Sequence, residues 1–204
     1  MFNREFEADI IFMFAHLSVK NINFALISLR CLLEEREIDQ ELYFDEHTYY
    51  FFHIQSSLAA CGNLSNVFYN YGFNGREATE RSRQLRCQFG INKAQFPLVF
   101  QKEARNTNEH FDERYDTSRS QFGDYNLLDG NTLQEMRDSI MNTPHLRTFD
   151  RASGIYHTYN RKFQPIIYNL NELTDQLLEI RRRIVGSPIY ESGWIDNVPE
   201  AIVK

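Results

Sequence analysis

The 204-residue chain has few of the residues that build the most easily recognised sites. Its three cysteines, Cys31, Cys61 and Cys87, are an odd number with no Cys-x-x-Cys pair. That argues against both a disulfide framework and a thiolate zinc site, and it suits a reducing, cytoplasmic setting. Long apolar runs are scarce at the N-terminus, where Ile10 to Phe14 is too short for a signal-peptide core or a membrane helix, so neither export nor membrane contact is expected. Positive charge is in deficit: 22 Lys and Arg face 28 Asp and Glu, giving a net charge of -6. Indiscriminate binding to a phosphate backbone needs clustered cations, so any nucleic-acid site must be local. The chain also lacks His-Glu-x-x-His, any Glu followed by His three residues later, a phosphate-cradling Gly-rich loop and a Gly-x-Ser-x-Gly elbow. No metal site and no cofactor are therefore expected from local motifs.

What the chain does contain is apolar and aromatic surface at helical spacing. Apolar residues make up 42 % of it, with 17 Phe and 11 Tyr, enough for a sizeable core in one α-rich domain. From Ile22, the positions Ala25, Leu26, Leu29, Leu32 and Leu33 keep to one helical face before a charged run at Glu34–Glu37. A second, long helix is expected to begin near Asp45 and end near Gly72, with Phe51, Ile54, Leu58, Cys61 and Phe68 inward. A third begins at Asn74 with a capping-box Glu77 and stops at Gly90. A fourth starts with Pro97 in its first turn and runs to about Ser120, turning Phe100, Ala104, Phe111 and Tyr115 inward. Long helices with short connections imply an antiparallel bundle.

Past Gly130 a short helix is expected from Thr132 and Glu135 through Ile140, closed before Pro144. The segments LRTFD and IYHTYN around RASG then read as a small β-hairpin. A final amphipathic helix carries Leu170, Leu173, Leu177, Ile180 and Ile184, with Arg181, Arg182 and Arg183 near its end and an irregular tail from Ser187. The expected architecture is thus mainly α. A helical bundle occupies 1–125, and a C-terminal helix, β-hairpin and helix occupy 126–204, packed on the bundle as one domain.

One polar face carries chemistry. With Ala104 and Phe111 inward, Arg105 and His110 flank the opposite face of their helix, with Asn106, Glu109 and Glu113 between them. Arg105 and His110 are separated by only about 7.5 Å along the axis, within reach of one phosphate. Asn106 and His110 stand at i, i+4, where the amide can orient the imidazole. A second Arg/His pair at similar spacing, Arg151 and His157, straddles the RASG turn and lacks the helical setting.

The pattern Arg105-Asn106, three residues, His110, on a late long helix of an acidic bundle, resembles the HEPN superfamily. The resemblance covers this motif and the bundle of 1–125. It implies a helical domain that forms a homodimer, with two such helices across a cleft. It also implies a metal-independent endoribonuclease of toxin–antitoxin or phage-defence type, in which Arg105 and His110 are catalytic. RNA, and an antitoxin or regulatory protein, are the partners it implies. The residues allow the chemistry: RNA supplies its own 2′-hydroxyl nucleophile, His110 can move a proton, and Arg105 can offset charge on the phosphorane.

Glu109, Asp112, Glu113 and Asp116 would repel phosphate, and two sets of cations offset them. Arg114 and Arg119 share the motif helix, and Arg81, Arg83 and Arg86 lie on the preceding one, whose segment 76–93 has five basic and two acidic residues. Arg81, Arg83, Arg86 and Arg114 are therefore the expected RNA contacts. Tyr156 and Tyr159 of the hairpin are candidates for stacking on bases or for packing on a helix. The competing reading is a non-catalytic helical dimerisation or protein-binding module, in which Arg105 pairs with Glu109 at i, i+4 and His110 is solvated beside Asp112 and Glu113.

Overall fold

A computed structural model describes residues 4–34, 46–70, 75–102, 106, 147–160, 162 and 164–191. Three helices come first: α1 (Arg4–Leu33), α2 (Glu46–Tyr69) and α3 (Arg76–Phe89). A three-stranded sheet follows, β1 (Arg147–Asp150), β2 (Ile155–Tyr159) and β3 (Pro165–Asn169), then α4 (Leu170–Val185) and a single helical turn, α5 (Pro188–Glu191). The expected mainly-α fold with a C-terminal hairpin and a final amphipathic helix is what the described residues form.

α1 is longer than the stripe beginning at Ile22 implied, because Ile11, Ala15 and Val19 continue that stripe toward the N-terminus and are buried with Ile22, Ala25, Leu29 and Leu32. α2 and α4 cover this face. Ala8–Leu33 is long and apolar enough to cross a membrane by length and composition, and 44 % of its apolar 18-residue window is buried inside the protein. Two polar residues inside the stripe are satisfied locally. Ser18 Oγ donates to the Phe14 carbonyl at 2.7 Å and Asn21 Nδ2 to the Leu17 carbonyl at 2.9 Å, the back-bonding that lets short polar side chains enter a helical core.

α2 follows its expected bounds closely. α3 ends as expected at Gly90, which is left-handed at φ +63° and returns its N–H to the Arg86 carbonyl. Its start differs. Gly75 rather than Asn74 is the N-cap, and no side chain caps it; the Gly75 carbonyl instead accepts both the Thr79 N–H and its hydroxyl. Ser82 Oγ donates to the Val67 carbonyl at 3.0 Å and so fastens α3 to α2. Pro97 does not open a helix: 93–100 is a series of turns, and Lys102 is helical. The short helix expected from Thr132 and the remainder of the helix to Ser120 lie outside the described residues.

The hairpin forms where RASG predicts it and gains a third strand. β1, β2 and β3 pair antiparallel in that order, with Phe149 opposite Tyr156 and Tyr156 opposite Tyr168. These three aromatic residues share one face and are almost wholly buried, while Ile167 on the other face is exposed. Pro165 opens β3 at the sheet edge, a position that needs no donor. The sequence reading missed β3 because its alternation runs straight into α4 with no loop. Asn169, the last residue of the strand, caps the helix by accepting from the N–H groups of Asn171 and Glu172. The tail is also not wholly irregular, since α5 makes one turn after Ser187.

Gly154 closes the hairpin turn at φ +68°, and its carbonyl accepts the Leu170 N–H at 2.9 Å. A Cβ there would lie 2.5 Å from Asn171 Nδ2 and 3.2 Å from Leu33 Cδ2. At the far end of α4, Glu179 accepts from Arg182 at 2.7 Å and from Arg183 at 2.8 Å. Hydrogen bonds from Arg182, and then from Arg183, lower the Glu179 pKa from 4.5 to about 2.

Two expectations follow. Gly154→Ala should lose about 1–2 kcal/mol from the left-handed backbone alone, with the Asn171 contact adding to the loss; urea denaturation measures it, and an unchanged midpoint would contradict this account. Because the Glu179 pKa is depressed on folding, its contribution is present above pH 4.5 and is lost as pH falls toward 2. Acid titration of stability should therefore be shallower across that window in Glu179→Gln, by a small margin for so exposed a group.

Candidate functional site

The segment leading to the Arg105–His110 motif is non-helical backbone that turns Phe96, Val99 and Phe100 inward, and the polar groups of Leu98 and Val99 find partners on three elements. Phe96, Val99 and Phe100 are buried. The Leu98 and Val99 N–H groups both donate to Gln176 Oε1 of α4, at 3.1 and 3.4 Å. The Leu98 carbonyl accepts from the Tyr168 hydroxyl of β3, and the Val99 carbonyl from Ser65 Oγ of α2 at 3.3 Å. Glu172 accepts from Gln176 Nε2 at 3.2 Å, which fixes the orientation of the amide. Phe100 closes the stretch against the end of α2, edge-on to Phe68 and Tyr69 with ring centroids 6.2 and 4.8 Å away.

A second tether acts just upstream. Arg183, held by Glu179, donates to the Gly90 carbonyl and to Gln95 Oε1, and its guanidinium lies 4.9 Å from the centroid of the Phe96 ring. The chain therefore leaves this anchor at a fixed place, beside the C-terminal end of α2. Asn106 is helical and half-buried six residues beyond Phe100. Arg105, His110 and Arg114 lie outside the described residues.

Each of the three arginines expected on α3 has neighbours within the protein. Arg81 stacks over the Phe14 ring of α1, 4.0 Å from its centroid. Arg83 makes a bidentate contact with Glu80, and both side chains are exposed. Arg86 donates to the Phe68 carbonyl at the end of α2 and lies over Tyr69, 4.8 Å from its centroid. Since Tyr69 also touches Phe100, Arg86 is the member of the set nearest the anchor. Positions 81, 83 and 86 fall at different angles around the helix, so the three guanidinium groups face three different neighbours.

Other residues singled out in the sequence have structural surroundings. Tyr156 is buried edge-on to Phe51, and Tyr159 is half-buried. His53 is buried between Tyr49 and Phe52. Arg151 and His157 straddle the hairpin turn; Arg151 Nη2 donates to the Glu34 carbonyl, and burial pushes the His157 pKa down against a partial upward pull from Asp150. A cleft of about 460 Å³ between α1, α3 and α5 is lined by Ala8, Ile11, Arg83 and Cys87 among others. Cys31, Cys61 and Cys87 are free thiols, and burial raises the Cys61 pKa to about 12. Among the described residues no group of three or more His, Cys, Asp or Glu side chains is placed to hold a metal ion.

Sequence reasoning missed Gln176 and Tyr168. The signal for Gln176 was its position, a polar residue on the inward stripe of Leu173, Leu177 and Ile180. Such a residue must find partners, and the non-helical stretch after Pro97 supplies them. Compared with protein-family models, with curated proteins and with solved structures, the chain has no match.

Gln176→Leu keeps the side-chain volume but leaves the Leu98 and Val99 N–H groups without their acceptor. It should cost about 1–3 kcal/mol for each one left buried and unsatisfied. Chemical denaturation checks this, and a loss below about 0.5 kcal/mol, the low end for one hydrogen bond, would contradict it.

Proposed function

We propose that this protein is a metal-independent endoribonuclease similar to the HEPN superfamily, of toxin or phage-defence type, acting in the cytoplasm. The observation that carries the reading is the motif Arg105-Asn106, three residues, His110, entered from an anchored segment of a helical domain and containing a helical Asn106. In this scheme the RNA 2′-hydroxyl attacks the adjacent phosphorus and the bond to the 5′-oxygen breaks. His110 moves the proton from the attacking oxygen toward the leaving one, and Arg105 offsets the charge of the phosphorane. Asn106, one helical turn before His110, orients the imidazole. The products are a 2′,3′-cyclic phosphate and a 5′-hydroxyl. Neither a metal nor a cofactor enters the scheme.

Substrate is RNA, held near the motif by Arg114 and by the cations of α3, of which Arg86 is closest to the anchor and Arg83 the most open to solvent. A homodimer and a controlling antitoxin or regulatory protein belong to the same reading, through the resemblance. A second reading, a helical interaction module without catalysis, is favoured by the exposed apolar side chains of α1.

The test is incubation of the purified protein with total RNA and tRNA in excess EDTA, beside Arg105→Ala and His110→Ala. The ribonuclease reading expects fragments ending in cyclic phosphate, with the rate down about 100-fold or more in each variant. Cleavage that either variant leaves intact, or its absence with folded protein across both substrates, favours the interaction module.

A further inference from the structure

α1 and α3 are joined where the Arg81 guanidinium stacks over the Phe14 ring. One turn back along α1, at Ile11, and one turn on along α3, at Gln84, the cleft of about 460 Å³ opens between them. Its walls are held in place. Ser82 Oγ ties α3 to the Val67 carbonyl of α2. On the third side, the α5 turn is fixed by Ser187 Oγ, which donates to the Ile184 carbonyl, and by buried Tyr190, whose ring lies 6.3 Å from that of Phe12 on α1. A volume of this size is in the range that encloses small organic molecules, about 300–1,000 Å³.

The two sides of the cleft differ in chemistry. Ala8 and Ile11 of α1, with Ile189 of α5, form an apolar side. Opposite them, Arg83, Gln84, Cys87 and Gln88 stand at i, i+1, i+4 and i+5 and so share one face of α3. Among the described lining residues Arg83 alone is charged. Its Nε and Nη2 donate to Glu80, which is not part of the lining, and the guanidinium also interacts with the Cys87 thiol. A guanidinium carries five N–H donors, so these contacts leave others for an anion. Gln84 gives its Nε2 to Glu80 at 3.2 Å and keeps its carbonyl oxygen as an acceptor, while Gln88, one turn on, carries both a donor and an acceptor.

We propose that this cleft binds a small carboxylate that carries an amide and an aliphatic tail, the chemistry of an N-acylated amino acid. The carboxylate meets Arg83, the amide lies between the Gln84 and Gln88 carboxamides, and the tail covers Ala8, Ile11 and Ile189. An inorganic anion would engage the α3 side and leave the apolar side in water. A neutral hydrocarbon would do the reverse and bury Arg83 and two carboxamides without partners, which costs more than its apolar contact returns.

The proposal does not rest on the ribonuclease reading, and its test contains no RNA. Two native thiols make a footprint on the full chain. Cys87 is exposed in the cleft, and half-buried Cys31 lies about 30 Å along α1 from Ile11. N-octanoylglycine should slow alkylation of Cys87 by iodoacetamide, saturably and with Cys31 unaffected, as read by peptide mass spectrometry. The uncharged N-octanoylglycinamide, and N-acetylglycine, which has lost the tail, should each need at least about tenfold higher concentration, the scale of one hydrogen bond to a charged group or of two buried methylenes. Arg83→Gln, at an exposed position, should erase the preference for carboxylate over carboxamide. Absence of protection at millimolar N-octanoylglycine overturns the proposal, as does equal protection of Cys31. Equal protection by either control ligand, or a carboxylate preference that survives Arg83→Gln, overturns it as well.

Discussion

The Gln176 carboxamide is the constraint on which the arrangement of this protein turns. A backbone stretch that is neither helix nor strand has its N–H groups turned inward at half-buried Leu98 and buried Val99, where leaving them unpaired costs more than most single contacts return. One side-chain oxygen on α4 accepts both. Tyr168 and Ser65 accommodate the two carbonyls, so the sheet, α4 and α2 meet at Leu98 and Val99. The motif segment starts from this knot.

The same rule of satisfying each polar group before burying it organises the rest. Ser18 and Asn21 turn back to their own helix, Ser82 crosses to α2, and Asn169 ends a strand and caps a helix with one side chain. Glu179 draws Arg182 and Arg183 together, and Arg183 passes that constraint on to Gly90 and Gln95. Cations that a reading of charge alone would assign to solvent are partly used in this way. Arg81 covers Phe14, and Arg86 closes the carboxyl end of α2.

Much of the fold was legible because apolar periodicity reports burial directly. The inward stripes of α2 and α4, the Gly90 stop and the RASG turn stand where the spacing puts them. What the spacing concealed were elements whose partners are remote in sequence. β3 is defined by pairing with β2 rather than by its own five residues, and Pro97, a fair helix starter locally, sits in turns because α4 accepts the amides that follow it. The early start of α1 was masked by a helix apolar on two faces, whose outer stripe blurs the usual contrast between wet and dry sides. For the site, the sequence supplied the motif and the structure supplies its point of attachment, with Asn106 helical beyond it. Arg81, Arg83 and Arg86 looked like one patch because charge was counted along the chain, and their angles around α3 separate them.

Residues 96–102 are an anchored stretch of backbone, and Asn106 beyond it is helical. The measurement that tests this most directly is native-state hydrogen exchange at the Leu98 and Val99 amides. The account predicts protection close to that of the α4 core amides, despite the absence of regular secondary structure at those positions. Exchange at the rate of an open loop would contradict it, and with it the claim that the motif segment leaves the bundle from a fixed point.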